Sequence, residues 1–137
     1  MFHIDVMSRR PVYEQLVDEV ERFILRGVLE PDQQIQSVRS LSMELAVNPN
    51  TVQKAFSELD RRGIVYAVPG RGCFVKSGAK ERIGERMRQG LGNFTEQVYE
   101  LALAGIDKET VMSCVEDAFA RKGESNDTGR GLNEEIS

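Results

Sequence analysis

Apolar residues recur along the chain in patterns that predict a mostly α-helical protein with one small β-hairpin. Between Ser37 and Gly63 they fall on one face of two short helices that are joined by a tight turn. Ser37 suits the N-cap of the first helix, because its hydroxyl oxygen can accept a hydrogen bond from a free backbone N–H group. Asn48 and Pro49 suit the start of the second helix in the same way. We expect the rest of the chain to be organised around this helix-turn-helix.

The outer face of the second helix carries the side chains that suggest a function. Near its start it presents amide, hydroxyl and ammonium groups, namely Asn50, Thr51, Gln53 and Lys54. In the major groove of DNA, Gln or Asn can pair with an adenine edge, and Lys can reach guanine or a phosphate. The alternative is an ordinary helical hairpin whose polar face is only hydrated. Of these two interpretations, the residue types favour DNA binding.

Two short β-rich segments follow the helix pair and flank a turn. The segments are residues 64–68 and 73–76, and the turn is Pro69-Gly70-Arg71-Gly72. Together they predict a β-hairpin. Glycines on both sides of Arg71 allow the backbone to approach a phosphate or a minor groove closely, with a guanidinium at the tip. Directly behind a helix-turn-helix, such a hairpin would be the wing of a winged helix.

The order of these motifs, SVRSL, NPNTVQKAFSEL and RRGIVYAVPGRGCFV, resembles the DNA-binding domain of GntR-type bacterial transcription regulators. The similarity covers about residues 8–77. Such proteins usually carry proline where this chain has Gln36, which changes the loop but removes no contact group. The resemblance implies that Arg39 reaches a base or a phosphate. We therefore expect a winged helix-turn-helix domain over residues 1–77. Its predicted DNA contacts are Ser37, Arg39, Asn48, Asn50, Thr51, Gln53, Lys54, Gly70, Arg71 and Gly72.

The N-terminal segment predicts a short strand followed by a helix at the back of this domain. Residues 2–6 alternate between apolar and polar side chains, which is typical of a strand. A helix that begins at Pro11 carries apolar residues at the helical period, and Gly27 ends it. Arg9 and Arg10 precede this helix, where they either contact phosphate or are simply hydrated.

Beyond a short linker at residues 77–79, the pattern predicts helices that need a partner. Apolar residues over 83–101 are spaced three or four apart, which predicts one seam down a single long helix. Asp107 can cap a second helix with an apolar side. Two helices of this size bury too little surface to close a core, so we expect residues 78–122 to pair with a second chain. The predicted interface residues are Ile83, Met87, Leu91, Phe94, Val98, Leu101, Val111, Val115 and Phe119.

The short C-terminal region also distinguishes among GntR-type regulators. Most members carry a larger effector domain, whereas here only residues 78–122 separate the wing from a polar tail. This arrangement resembles the YtrA-type subfamily, whose tail is a two-helix dimerisation unit. Residues 123–137 have almost no apolar content, so we expect them to be disordered. Similar modules also occur fused to aminotransferase-like domains, but we expect the acidic tail to be a natural end.

Charge is distributed unevenly along a chain whose net charge is −4. Residues 33–80 contain seven Lys or Arg and three Asp or Glu, a net charge of +4. Positive charge therefore lies on the predicted DNA-binding module, where phosphate neutralisation requires it. No segment stays apolar over the ~20 residues that cross a bilayer, and the N-terminus lacks the apolar core of a signal peptide. We expect a cytoplasmic protein without a membrane partner.

Enzymatic and metal chemistry find little support in the sequence. The chain has one histidine, His3, and neither a nucleophile beside a base nor paired carboxylates in a recognisable setting. Its two cysteines, Cys73 and Cys114, lack metal-binding spacing and are expected to be reduced thiols. We expect no enzymatic activity, no cofactor and no metal.

Together, these patterns predict a sequence-specific transcription regulator that binds a palindromic operator in double-stranded DNA as a homodimer. A repressor is favoured over an activator, because a dimer bound at a promoter blocks polymerase. An alternative is a regulator with a pocket for an unknown small-molecule effector between the C-terminal helices, lined by Phe94, Met112 and Phe119. A winged helix that contacts protein is disfavoured, because protein interfaces prefer aromatic anchors.

Overall fold

The computed structural model describes the backbone of residues 2–136 and the side chains of residues 2–124. It is mostly α-helical with one small antiparallel sheet, as predicted. The chain divides between Gly84 and Glu85 into two compact units, called here the N-terminal and the C-terminal unit. The elements in chain order are α1 (Val12–Leu25), β1 (Gln34–Ile35), α2 (Val38–Leu45), α3 (Pro49–Arg61), β2 (Val65–Val68), β3 (Gly72–Val75), α4 (Ala79–Gln89), α5 (Leu91–Leu103) and α6 (Lys108–Ile136).

Helices α2 and α3 form the predicted helix-turn-helix, and both predicted caps are confirmed. The Ser37 hydroxyl accepts a hydrogen bond from the backbone N–H of Ser40 at 3.1 Å, which caps α2. The Asn48 side chain accepts one from the backbone N–H of Asn50 at 2.8 Å, which caps α3. Ala46 adopts the left-handed conformation at the end of α2, with φ 54°. The turn between the helices is therefore fixed by local hydrogen bonds.

The core of the N-terminal unit holds α3 against α1 and the sheet. All the apolar positions predicted on the inner face of α3 are buried: Val52, Ala55, Phe56 and Leu59. Other side chains that are almost completely buried are Leu16, Val17, Val20, Ile35, Leu41, Ile64, Val65, Val75 and Ile83. Burial of one such side chain contributes roughly 1.5–3 kcal/mol relative to leaving it exposed. This shared core makes α3 a rigid part of the unit.

The β-hairpin is formed by β2 and β3 as predicted, but the sheet has a third strand. In the hairpin, Tyr66 lies opposite Phe74, and the two rings stack with centroids 5.5 Å apart. Strand β1 pairs antiparallel with β3, which therefore occupies the centre of the sheet. Strand β1 is not predicted from the sequence, because two residues are too short for an alternating pattern to be recognised.

The predicted strand over residues 2–6 is not formed, so this prediction is wrong. Residues 2–5 have no regular secondary structure. Phe2 is nevertheless buried, with its ring centroid 4.9 Å from that of Phe23 on α1. Gln15 Oε1 accepts a hydrogen bond from the backbone N–H of Asp5 at 2.8 Å. Gln15 Nε2 donates one to the backbone carbonyl of Asp5 at 2.9 Å. A side chain of α1 thus satisfies backbone groups that a neighbouring strand would otherwise bind.

An ion-pair network ties α1 to the end of α3. Glu21 is only 4% exposed and accepts a hydrogen bond from Arg62 at 2.6 Å. Arg62 also donates to Glu58 at 2.9 Å, and Arg61 donates to the same carboxylate at 2.5 Å. The hydrogen bonds from Arg61 and Arg62 lower the pKa of Glu58 from 4.5 to about 2. The charged form of Glu58 is therefore the one that stabilises the fold.

Acid is expected to weaken this network in a defined range of pH. Because the pKa of Glu58 is lowered by folding, its stabilising effect is complete above its ordinary pKa of 4.5 and is lost as the pH falls towards about 2. In Glu58→Gln, we expect lower stability at neutral pH and a flatter pH dependence of the free energy of unfolding in this range. Urea denaturation at a series of pH values from neutral down to about 2 measures both effects. Glu30→Gln serves as the control, and a Glu58→Gln profile that matches it would contradict the assignment.

The C-terminal region differs from the single long helix that the sequence predicts. Helix α4 ends at Gln89 and α5 begins at Leu91, so Gly90 separates two helices. Glycine is a poor helix former, which explains a break at this position. Ile83 is fully buried in the core of the N-terminal unit. Its side chain cannot also face a partner chain, and its predicted place in the interface is corrected accordingly.

The second C-terminal helix begins where the sequence predicts it. The Asp107 carboxylate accepts a hydrogen bond from the backbone N–H of Thr110 at 2.9 Å, which caps α6. Helix α6 continues to Ile136, through residues for which the polar composition predicts disorder. No proline interrupts this stretch, so the backbone hydrogen bonds of the helix can continue. Ser137, the last residue of the predicted disordered tail, lies outside the described residues.

Both cysteines are free thiols, as predicted. Cys73 is buried in β3, and Cys114 is exposed on α6. Burial raises the pKa of Cys73 to about 11, and the nearby negative charge of Asp60 adds to the shift.

Over the part of the chain that the structure describes, no helix combines the length and the apolar character needed to cross a membrane.

Candidate nucleic-acid interface

The exposed face of α3 is polar along its first two turns and lacks a carboxylate there. Asn50, Lys54 and Ser57 follow one another at spacings of four and three residues, so they lie along one line of the helix. Gln53 is exposed beside them, and Thr51 is half-buried. The first turn contains no acidic residue. The positive end of the helix dipole therefore coincides with hydrogen-bonding side chains, which is a favourable environment for phosphate.

Ser57 is a member of this face that the sequence prediction missed. Gln53 donates a hydrogen bond to the Ser57 hydroxyl across one helical turn at 3.4 Å. This distance is long for a hydrogen bond, so the Gln53 amide can exchange it for a stronger partner. The signal was present in the sequence, because Ser57 stands four residues after Gln53.

Two of the predicted contact residues also have structural roles. The oxygen atoms of Ser37 and Asn48 accept the capping hydrogen bonds of α2 and α3. Their remaining donors, a hydroxyl hydrogen and an amide group, stay available at the two helix N-termini. Substitution of either residue would therefore remove a helix cap together with a candidate contact.

Arg39 is exposed in the first turn of α2, directly after Val38. Gln36, in the loop before α2, donates from its side-chain amide to the Ser40 hydroxyl at 2.7 Å. This bond restrains the loop before α2. Among the residues that the structure describes, no carboxylate pairs with the Arg39 guanidinium, which leaves its full charge available.

The wing is held in place by a residue that sequence patterns did not reveal. Gln34 of β1 donates from Nε2 to the backbone carbonyl of Arg71 at 2.7 Å. Gly72 has φ +117°, and a Cβ atom there would lie 2.9 Å from the same Nε2 atom. Only glycine fits this conformation and this close approach without displacing Gln34. The Arg71 side chain is thus presented by a tip whose backbone is fixed.

The cations of the N-terminal unit fall into two groups. Arg10 pairs with Asp18 at 2.6 Å, and Arg61 and Arg62 share Glu58. In contrast, within the described part of the chain Arg39, Lys54 and Arg71 have no carboxylate partner. Carboxylate pairing reduces the attraction of a cation for phosphate. All three belong to the predicted contact set, whereas Arg10 does not; Arg26 and Lys80 of the same unit also lack a carboxylate partner among the described residues, so an unpaired charge does not by itself mark a contact.

Metal-binding clusters and cavities are the other kinds of site to compare with this surface. No group of three or more potential metal-ligating side chains occurs among the described residues. An apolar cavity of about 160 Å³ lies in the N-terminal unit. Its lining includes Ile24, Leu29, Val75 and Ala79. It therefore involves none of the aromatic and methionine side chains that the effector-pocket alternative invokes.

A helix-turn-helix followed by a β-hairpin wing places the N-terminal unit in the winged helix-turn-helix class of DNA-binding proteins. The family described as bacterial regulatory proteins, gntR family, matches residues 12–75. The HTH-type transcriptional repressor YtrA of Bacillus subtilis (strain 168) is 32% identical over 130 residues, which cover 93% of this chain and 100% of that relative. The chain belongs to the GntR family of transcription regulators and to its short YtrA type.

Solved structures agree with this assignment. A GntR family transcriptional regulator from Listeria monocytogenes is 32% identical and has a TM-score of 0.66, with 80% of this chain and 96% of that chain covered. YtrA from Sulfolobus acidocaldarius, a GntR-family transcription factor, is 31% identical with a TM-score of 0.55. That comparison covers 75% of this chain and 97% of the other.

Proposed function

We propose that the protein is a cytoplasmic transcriptional repressor that binds a palindromic operator as a homodimer. The observation that carries the proposal is the exposed face of α3, which is polar and free of carboxylates over its first two turns. A repressor of the same type matches almost the whole chain. The N-terminal unit would bind the duplex, and the C-terminal unit would hold two copies together.

Each part of the reading surface has a proposed role. Helix α3 enters the major groove, where Gln53 and Lys54 are the main base-reading side chains. Asn50 and Thr51 share base and phosphate contacts, assisted by the helix dipole. Arg39 contacts a base or a phosphate from α2. The remaining members are Ser37 and Asn48 at the helix N-termini and Gly70, Arg71 and Gly72 in the wing, where Arg71 contacts the minor groove or the backbone.

The C-terminal unit supports the homodimer because it exposes an apolar face. Helix α5 has no buried residue. Three of its apolar side chains, Leu91, Phe94 and Leu101, are exposed on one face together with half-buried Val98. Exposed apolar surface of this kind marks interaction sites. We propose a second copy of the chain as the partner. The other members of the proposed interface are Met87 on α4 and Val111, Val115 and Phe119 on α6.

In vitro selection from duplexes of random sequence tests the proposed function. A pool of random 40-base-pair duplexes is bound by the full-length protein, recovered and sequenced over several rounds. We expect an enriched palindrome whose half-site centres lie about 10 base pairs, or a small multiple of this, apart. Recovery without enrichment would overturn sequence-specific binding. Enrichment of a single asymmetric half-site would overturn binding as a symmetric dimer.

A further inference from the structure

The ring of Tyr13 on α1 contacts Lys54, one of the two proposed base-reading side chains. The Nζ atom of Lys54 lies 4.0 Å from the centroid of the Tyr13 ring, over its face. Tyr13 belongs to the first turn of α1 and is half-buried against the core of the N-terminal unit. Lys54 is exposed on α3. The contact therefore joins an aromatic ring that packs against the core to an exposed cation on α3.

We propose that Tyr13 is a positioning residue for DNA binding, which holds the Lys54 ammonium in a conformation ready to contact the duplex. The proposal rests on the DNA-binding function proposed above and extends it to a residue on another helix. Tyr13 need not contact DNA in this role. It acts through Lys54.

The type of partner matters for the charge of the surface. A carboxylate that oriented Lys54 would also neutralise it, as Glu58 neutralises Arg61, and would be expected to repel phosphate. An aromatic face attracts an ammonium group through its quadrupole and carries no net charge. The Tyr13 ring thus orients Lys54 and leaves its positive charge available to the nucleic acid.

The contact with Tyr13 is expected to preorganise the Lys54 side chain for DNA binding. A free lysine side chain samples many rotamers, and binding must immobilise it. The Tyr13 ring is packed against the core of the N-terminal unit on one side, so it is already ordered before binding. A cation–π contact at an exposed site is weak, so loss of the ring should reduce specific affinity by about two- to fivefold.

The first test observes the contact in the free, full-length protein. A proton that lies over an aromatic ring is shielded by the ring current, so the side-chain methylene resonances of Lys54 should lie upfield of those of exposed Lys80. In Tyr13→Leu we expect them to return to the positions of an exposed lysine, whereas Tyr13→Phe should retain the shift. Resonances that do not respond to Tyr13→Leu would overturn the contact.

The second test is a double-mutant cycle on the duplex enriched by selection. Tyr13→Leu should weaken binding about two- to fivefold and leave the slope of log affinity against log salt unchanged, because the Lys54 charge remains. Tyr13→Phe should bind as wild type. In a Lys54→Met background, Tyr13→Leu should have no further effect, whereas in a Lys80→Met background its full effect should remain.

The outcomes separate the two proposals. If Tyr13→Leu weakens binding equally with and without Lys54, the ring acts by another route and the positioning role is overturned. If Tyr13→Leu binds as wild type, the role is overturned as well, while specific binding by the wild-type protein still supports the function. If the wild-type protein enriches no duplex, the DNA-binding function fails and the positioning role fails with it.

Discussion

Leu91→Asp or Phe94→Asp should convert the protein into a monomer and weaken operator binding by roughly 100-fold. Both side chains are exposed in the single chain, by 58% and 49%, and lie on the same face of α5. In the proposed dimer they become buried, and a carboxylate there would be buried without a partner, at a cost of several kcal/mol. Binding to two half-sites at once would then be lost. Sedimentation velocity gives the oligomeric state, and fluorescence anisotropy gives the affinity.

A matched substitution separates the position of the charge from its presence. Asn93→Asp adds the same carboxylate beside Phe94 in sequence, but it projects about 100° away around the helix. This variant should remain dimeric and bind as wild type. If Leu91→Asp and Phe94→Asp also sediment as dimers, the exposed face of α5 is not the interface.

Arg39→Ala and Gln53→Ala should each reduce affinity for the selected duplex by roughly 5- to 150-fold, the range found for direct base contacts. Both side chains are exposed, so neither substitution removes core packing. Arg39→Ala also removes one unpaired positive charge and should weaken binding to unrelated duplexes. Gln53→Ala should leave binding to unrelated duplexes nearly unchanged, because an amide carries no net charge. Anisotropy titrations with the selected and a scrambled duplex measure both quantities.

Arg26→Ala provides the comparison for lost charge. Arg26 follows the end of α1, about 20 Å along the helix from Tyr13, which contacts the reading helix. The variant should keep the preference for the selected duplex over the scrambled one. The contact assignment would be refuted by unchanged specific affinity in both Arg39→Ala and Gln53→Ala, with thermal unfolding showing that both are folded.

The helix-turn-helix was predictable because its determinants are local. The caps at Ser37 and Asn48 act within three residues of their own position, and the buried face of α3 follows a simple helical period. Strand β1 gave no such signal, since it depends on pairing with β3 far along the chain. The bond from Gln34 to Arg71 and the contact between Lys54 and Tyr13 have the same origin. Such contacts between distant segments require the fold to be known.

The C-terminal helices show what periodicity cannot determine. The pattern identifies apolar faces, but it does not state which neighbour each face meets. Ile83 and Met87 are one turn apart in one apparent seam. The first is buried in the N-terminal unit and the second is exposed. The break at Gly90 divides the seam between α4 and α5, so a continuous pattern in the sequence corresponds to positions with different surroundings in the structure.

The bond between Gln34 and the Arg71 carbonyl has a consequence for the choice of DNA. Because this bond and the pairing of β2 with β3 restrain the backbone at the tip of the wing, we expect the tip to keep its position relative to α3 when DNA is bound. A duplex must then offer a groove of suitable width at the distance that the domain dictates, and one that does not must deform at an energetic cost that depends on its base sequence. Bases outside the major-groove contacts would thereby influence affinity through the shape of the helix.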